Sequence, residues 1–92
     1  MYLEIVTPEA ILFTGEVDSV GVPGINGEFQ MLNSHAPIVS LLQNGTIKIV
    51  GTIQIEEDYK EKFSEEGNGI TLLPINGGTI ELKGNKVIIL AD

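Results

Sequence analysis

The single histidine of the chain, His35, is the first residue to consider for chemistry. An imidazole can donate and accept a hydrogen bond at the same time. His35 therefore fits a structural hydrogen bond within a loop, a contact with a partner protein, or metal and proton chemistry. The chain has no cysteine, and one histidine makes a zinc site or a serine triad hard to assemble. We expect no catalytic residue, no bound metal and no cofactor, and the residues alone leave the first two roles of His35 open.

The acidic stretch at 56–66 is the second candidate for chemistry. It contains six carboxylates and two lysines, a net charge of -4 out of -8 for the whole chain. It lacks the spacing of acidic residues and glycine that wraps a loop around calcium, so a solvated surface segment is the expectation. Tyr59 and Phe63 stand one helical turn apart, which fits a short helix, but we favour a loop or hairpin tip.

The composition limits the kinds of partner. With 13 acidic and 5 basic residues, the chain is repelled by nucleic acid and by anionic lipid. No apolar run approaches the ~20 residues that span a bilayer, so we expect no direct membrane insertion. The amino terminus carries no basic region of a signal sequence. Basic protein surfaces are the partners that this charge favours, and 92 residues fit one domain.

Short apolar runs alternate with glycine turns along the chain, which predicts an all-β, flattened sandwich or barrel of about 8–10 mostly antiparallel strands. Two overlapping turn signals, Pro23-Gly24 and Asn26-Gly27, precede Glu28 and display it at an edge of the sandwich. An exposed carboxylate is ordinarily only solubilising. Gly51 is interpreted as a bulge or a kink within a strand that continues through 52–56. The apolar run Lys86–Ala91 predicts a strand covered on both faces, by the core and by a partner.

Several segments, in this order, carry a resemblance to a known family. They are Leu3–Thr7, Phe13–Gly15, Pro23–Phe29, His35–Val39, Gly77–Leu82 and Val87–Asp92. With them the chain resembles the epsilon subunit of bacterial F-type ATP synthases, the counterpart of the mitochondrial delta subunit. The resemblance covers most of the chain except about 51–69, which is interpreted as an acidic insertion in a single domain.

The resemblance implies a non-catalytic rotor subunit at the foot of the central stalk, on the cytoplasmic face of the bacterial inner membrane. Such a subunit binds the gamma subunit and the c ring and helps to couple proton or sodium flow to ATP synthesis. It places Gly27 and Glu28 toward the c ring. The positions that it places toward gamma are Thr7, His35, Ala36, Pro37 and Ser40.

Two further expectations concern what else the chain does. Most members of the family continue into a pair of helices that in some bacteria inhibit hydrolysis and bind ATP; here we expect neither the helical hairpin nor ATP binding. The alternative is a small acidic carrier or binding module of the lipoyl or carbohydrate-binding type. A lipoyl carrier needs a lysine at a hairpin tip between Asp and Ala, and Lys86 has neither neighbour. A carbohydrate module favours exposed aromatic residues, and the chain has no tryptophan.

Overall fold

The computed structural model describes residues 1–32 and 36–92. These residues form ten strands and one short 3₁₀ helix at Glu57–Lys62. The strands are β1 (Tyr2–Val6), β2 (Ile11–Glu16), β3 (Ser19–Gly24), β4 (Gly27–Met31), β5 (Ile38–Leu42), β6 (Gly45–Val50), β7 (Ser64–Gly67), β8 (Ile70–Ile75), β9 (Gly78–Lys83) and β10 (Lys86–Ala91). No helix among the described residues is long and apolar enough to cross a membrane.

The strands make one sheet that curls into two facing halves. The first half runs β2-β1-β10-β9-β5 and the second β3-β6-β8-β7, with β4 paired to the side of β3. A single pair, Gly24 with Leu42, joins β3 to β5 where the halves meet. All described pairings are antiparallel except that of β1 with β10. The predicted all-β sandwich is confirmed.

Alternation along the strands builds the core. Ile47 and Ile49 of β6 are fully buried, while Thr46 and Lys48, which alternate with them, face solvent. The same period of two holds in β1, where Leu3 and Ile5 are fully buried. Burial of such a side chain contributes about 1.5–3 kcal/mol, so the core residues of the two halves hold the sandwich closed.

Residues 51–63, which we call the strap, differ from the sequence prediction. The strand does not continue through Gly51: β6 ends at Val50, and Gly51 has a φ of 150° and donates its N–H to the Gly69 carbonyl at 2.8 Å. The acidic stretch is also not a plain loop, because it contains the 3₁₀ helix and leads into β7. The strap lies between β2 and β8, because its residues line cavities with both strands. Four half-buried side chains on its inner face pack against the core: Ile53, Ile55, Tyr59 and Phe63.

The turn before Glu28 is simpler than the two signals indicated. Pro23 and Gly24 are not turn residues, because both lie in β3, and Ile25 and Asn26 alone connect β3 to β4. Proline is tolerated at this point because the described ladder to β6 stops at Gly21, so no N–H is needed there.

The last strand is covered by the chain on one face only. Val87, Ile89 and Ala91 of β10 are buried, whereas Leu90 is 52% exposed. The core therefore covers one face of the strand, as predicted. A partner that covers the second face remains a prediction.

Candidate functional site

The turns at 25–26, 43–44 and 76–77 come together at one end of the sandwich, which we call the turn end. The Ile25 N–H donates to the Leu41 carbonyl at 3.1 Å, and the Gln43 N–H donates to the Pro23 carbonyl at 2.8 Å. The Asn44 side-chain amide donates to Asn76 Oδ1 at 3.5 Å. The turn end is therefore cross-linked by hydrogen bonds between different hairpins, which fix the residues displayed there.

Gly27 and Glu28, the residues predicted to face the c ring, lie at the turn end on the edge hairpin of β3 and β4. Glu28 is exposed and stands opposite Pro23. Phe29 points the other way and packs against the core, and a Cβ on Gly24 would lie 2.8 Å from an atom of its ring. Because Gly24 has no side chain, the Phe29 ring can pack against it and anchor the hairpin. The Glu28 carboxylate is therefore directed outward, as the sequence predicted.

The hydroxyl of Thr7, a residue predicted to face gamma, makes hydrogen bonds within the turn between β1 and β2. Its hydroxyl donates to the Ala10 carbonyl and accepts from the Ala10 N–H, both at 3.2 Å. It also lines a cavity with Asn76 and Asp92, so it lies at the turn end. The side chain thus has a structural role of its own, and the gamma contact stays a prediction.

The other residues predicted to face gamma lie farther along the sheet. Ala36 and Pro37 precede β5 and are exposed at the end opposite to the turn end, about 17 Å from it by the length of that strand. Ser40 lies in the middle of β5 with its hydroxyl 3.2 Å from the Leu41 carbonyl. His35 lies outside the described residues. The described members of this set therefore spread over the length of the sheet and do not form one cluster.

The sequence reasoning did not find the outer apolar row, a line of side chains across the first half of the sheet. Consecutive pairings place its members side by side on five strands: Leu41 of β5, Thr79 of β9, Leu90 of β10, Val6 of β1 and Ile11 of β2. The exposed fractions of Ile11, Leu41 and Leu90 are 54%, 56% and 52%. Next to it on β5, Val39 is 73% exposed. The signal was present in β5 and β10, whose sequences are apolar at both inward and outward positions.

No group of three or more metal-ligating side chains lies together in the described part of the chain. The candidate site is therefore a pair of surfaces: the outer apolar row, and the hairpin that displays Glu28. Neither surface, in the described residues, assembles groups for a reaction.

Comparison with known proteins identifies the family. Residues 1–92 match the family described as ATP synthase, Delta/Epsilon chain, beta-sandwich domain. The ATP synthase epsilon chain of Chlorobaculum tepidum is 36% identical over 90 residues, which are 98% of this chain and 86% of that protein. The epsilon chain of Campylobacter concisus is 38% identical over 92 residues, and there this chain spans 60% of the relative's length.

A solved structure has the same fold. A chain in the cryo-electron microscopy structure of the Tetrahymena thermophila mitochondrial ATP synthase central stalk and c ring superposes with a TM-score of 0.70. The match covers 98% of this chain and 61% of the other. Because the two sequences are only 15% identical, the match shows the fold alone. The relatives are epsilon chains, non-catalytic subunits of a membrane-associated complex. Sequence along the whole length and architecture agree: the chain belongs to the delta/epsilon β-sandwich family of ATP synthase subunits.

Proposed function

We propose that this protein is a rotor subunit that binds the gamma subunit through the outer apolar row and the c ring through the hairpin that carries Glu28. In this role it helps to couple ion flow to ATP synthesis, at the cytoplasmic face of the bacterial membrane. The single observation that carries the proposal is the outer apolar row, because this chain of net charge -8 leaves Leu41, Leu90 and Ile11 more than half exposed in one line across five adjacent strands.

The row has the form of a protein interface. Five strands at the usual spacing make it ~19 Å wide, a width suited to one side of another protein. Isolated exposed aliphatic residues are ordinary on protein surfaces, whereas a contiguous group marks an interaction site. A sheet face also holds its side chains rigidly, because the three middle strands under the row, β9, β10 and β1, are paired along both edges. Such a face suits a subunit that transmits torque.

The two proposed surfaces are close enough to serve two partners of one assembly. The hydrogen bond from Ile25 to Leu41 links the hairpin of Glu28 directly to the strand that begins the row. A partner on the row and a basic loop against Glu28 would therefore meet at the turn end. Thr7 lies at the same end, which is consistent with its predicted place near gamma.

Co-expression with the cognate gamma subunit tests the proposal. The unaltered chain is expected to co-purify with gamma as a stable complex. Leu41→Asp places a charge in the apolar contact and should abolish co-purification, since burial of an unpaired charge is costly. Thr46→Asp is the matched control, because Thr46 is an exposed strand residue on the second half of the sheet. Retention of gamma by Leu41→Asp, or loss of gamma by both variants, would count against the row as the interface.

A further inference from the structure

The outer edge of β2 is free of any strand within the described part of the chain, since β2 pairs with β1 alone. The unpaired N–H and C=O groups along such an edge are a template for another strand. Proteins commonly cover an edge of this kind with a loop or a helix. Here the strap lies beside the edge without pairing to it.

The direction of the strap is set by its neighbours. The Asp18 N–H donates to the Val50 carbonyl at 2.7 Å, directly before the strap, while Glu56 lines a cavity with Ile11 and Leu12. The first part of the strap therefore runs antiparallel to β2. Within the described residues, the backbone of 52–55 makes no hydrogen bond to other backbone or to side chains. Two extended segments with free backbone groups thus lie side by side.

Space separates these two segments along the whole strand. One cavity is lined by Ile11–Thr14 with Gln54 and Glu56, and the next by Phe13–Glu16 with Thr52–Gln54. Together they form a continuous channel, which we call the β2 groove. Its floor is apolar, because Leu12 and Phe13 are buried at its base. Its walls have hydrogen-bonding capacity that the chain itself does not use.

The charged residues that line the β2 groove determine which extended ligands it favours. Among the residues that the structure describes, the charged ones that line it are Glu16 near one end and Glu56 near the other. The positions they mark are about 17 Å apart along the strand. The amino group of Met1 lies 3.4 Å from Glu16 and partly neutralises its charge. Glu56 is therefore the carboxylate that attracts a cation more strongly.

We propose that the β2 groove accepts an extended basic segment of a partner polypeptide, which pairs with the free edge of β2 as an added strand. Backbone hydrogen bonds to β2 would give the segment its register. Lysine or arginine at its two ends would meet Glu16 and Glu56, and β-branched residues between them suit a strand. Ile11 is common to the groove and to the end of the outer apolar row, whereas the other residues that line the groove belong neither to that row nor to the hairpin of Glu28. Binding in the groove is therefore tested separately from the gamma and c-ring contacts.

A heptapeptide tests this site directly: acetyl-Lys-Val-Thr-Val-Thr-Val-Lys-amide, whose two lysines lie on one face of an extended strand, titrated into the full chain and followed by ¹⁵N–¹H NMR. We expect saturable shifts of the amides of β2 and of 52–55. The same peptide with glutamate in place of both lysines should not bind. Glu56→Lys should raise the dissociation constant by about two- to fivefold, the usual range for one exposed charge pair, whereas the same change at Glu66, outside the groove, should leave it unaltered.

Three results would overturn the proposal. The first is equal binding of the acidic peptide, or an absence of shifts in β2. The second is strong protection of the 52–55 amides from hydrogen exchange in the free protein, since the strap would then already occupy the edge. The third is a dimer in sedimentation whose contact is β2, because a second copy would then be the ligand of this edge.

Discussion

Leu41 and Leu90 lie on either side of Thr79, on strands that both pair with β9 at that residue. Each leucine is more than half exposed, at 56% and 52%, although each lies in a strand inside the sheet. The sandwich core gains nothing from their outward side chains, so their apolar character points to a surface that another molecule covers.

The double variant Leu41→Ser with Leu90→Ser tests whether this surface is free in the isolated chain. Because both side chains face solvent, the free energy of unfolding in urea should change by less than about 1 kcal/mol. Retention on a hydrophobic-interaction column should decrease at the same time. A loss of several kcal/mol would mean that the chain covers the row itself, and the row could not then be an interface.

Gly78, at the first position of β9, should not tolerate alanine. Its φ is 148°, and a Cβ there would overlap the carbonyl oxygen of Leu90. Backbone strain and displacement of the adjacent strand should together cost more than about 2 kcal/mol. Gly21→Ala is the control, because a Cβ at Gly21 has no neighbour closer than 3.7 Å and its φ is not positive, so its effect should stay within about 0.5 kcal/mol. Equal urea midpoints for the two variants would contradict this account.

The sequence predicted the fold class because alternation and turns are local signals. The Gly84-Asn85 pair, for example, forms the turn that connects β9 to β10, and Ile47 and Ile49 alternate with exposed neighbours and face inward. The position of Pro23 could not be predicted, because it depends on where a distant strand, β6, stops pairing with β3. The residue at which this pairing stops is set by the β-ladder, and no sequence pattern close to Pro23 indicates it.

The outer apolar row was missed for a similar reason. Leu41, Leu90 and Ile11 are far apart in the chain and become neighbours only when β9, β10 and β1 are placed between β5 and β2. Strand order of this kind is not encoded in local periodicity. Glu28, by contrast, could be predicted to be displayed, because a two-residue hairpin turn directly precedes its strand.

The strap is expected to stabilise the sandwich despite its charge. Ile53 is half-buried against the core, and Ile53→Asp should destabilise the protein by about 1–3 kcal/mol, because a carboxylate would replace an apolar contact. Gln54→Asp, the same new charge on the exposed neighbouring residue, should cost less than about 0.5 kcal/mol. Thermal unfolding of both variants decides between a packed strap and a merely solvated one, since a solvated strap would make the two variants equally stable.

The exposed carboxylate of Glu28 should matter for assembly and not for folding. Glu28→Lys keeps the hairpin intact, because Phe29 still anchors it to the core, so the unfolding free energy should change by less than about 0.5 kcal/mol. If Glu28 meets a basic loop of the c ring, the reversal replaces attraction by repulsion and should weaken the coupling of ion flow to ATP synthesis in reconstituted vesicles. Glu66→Lys alters the net charge equally at an exposed site on β7 and should leave coupling unchanged. Normal coupling in Glu28→Lys would mean that this residue only makes the surface more soluble. It would not contradict the proposed gamma interface, because that interface depends on the outer apolar row.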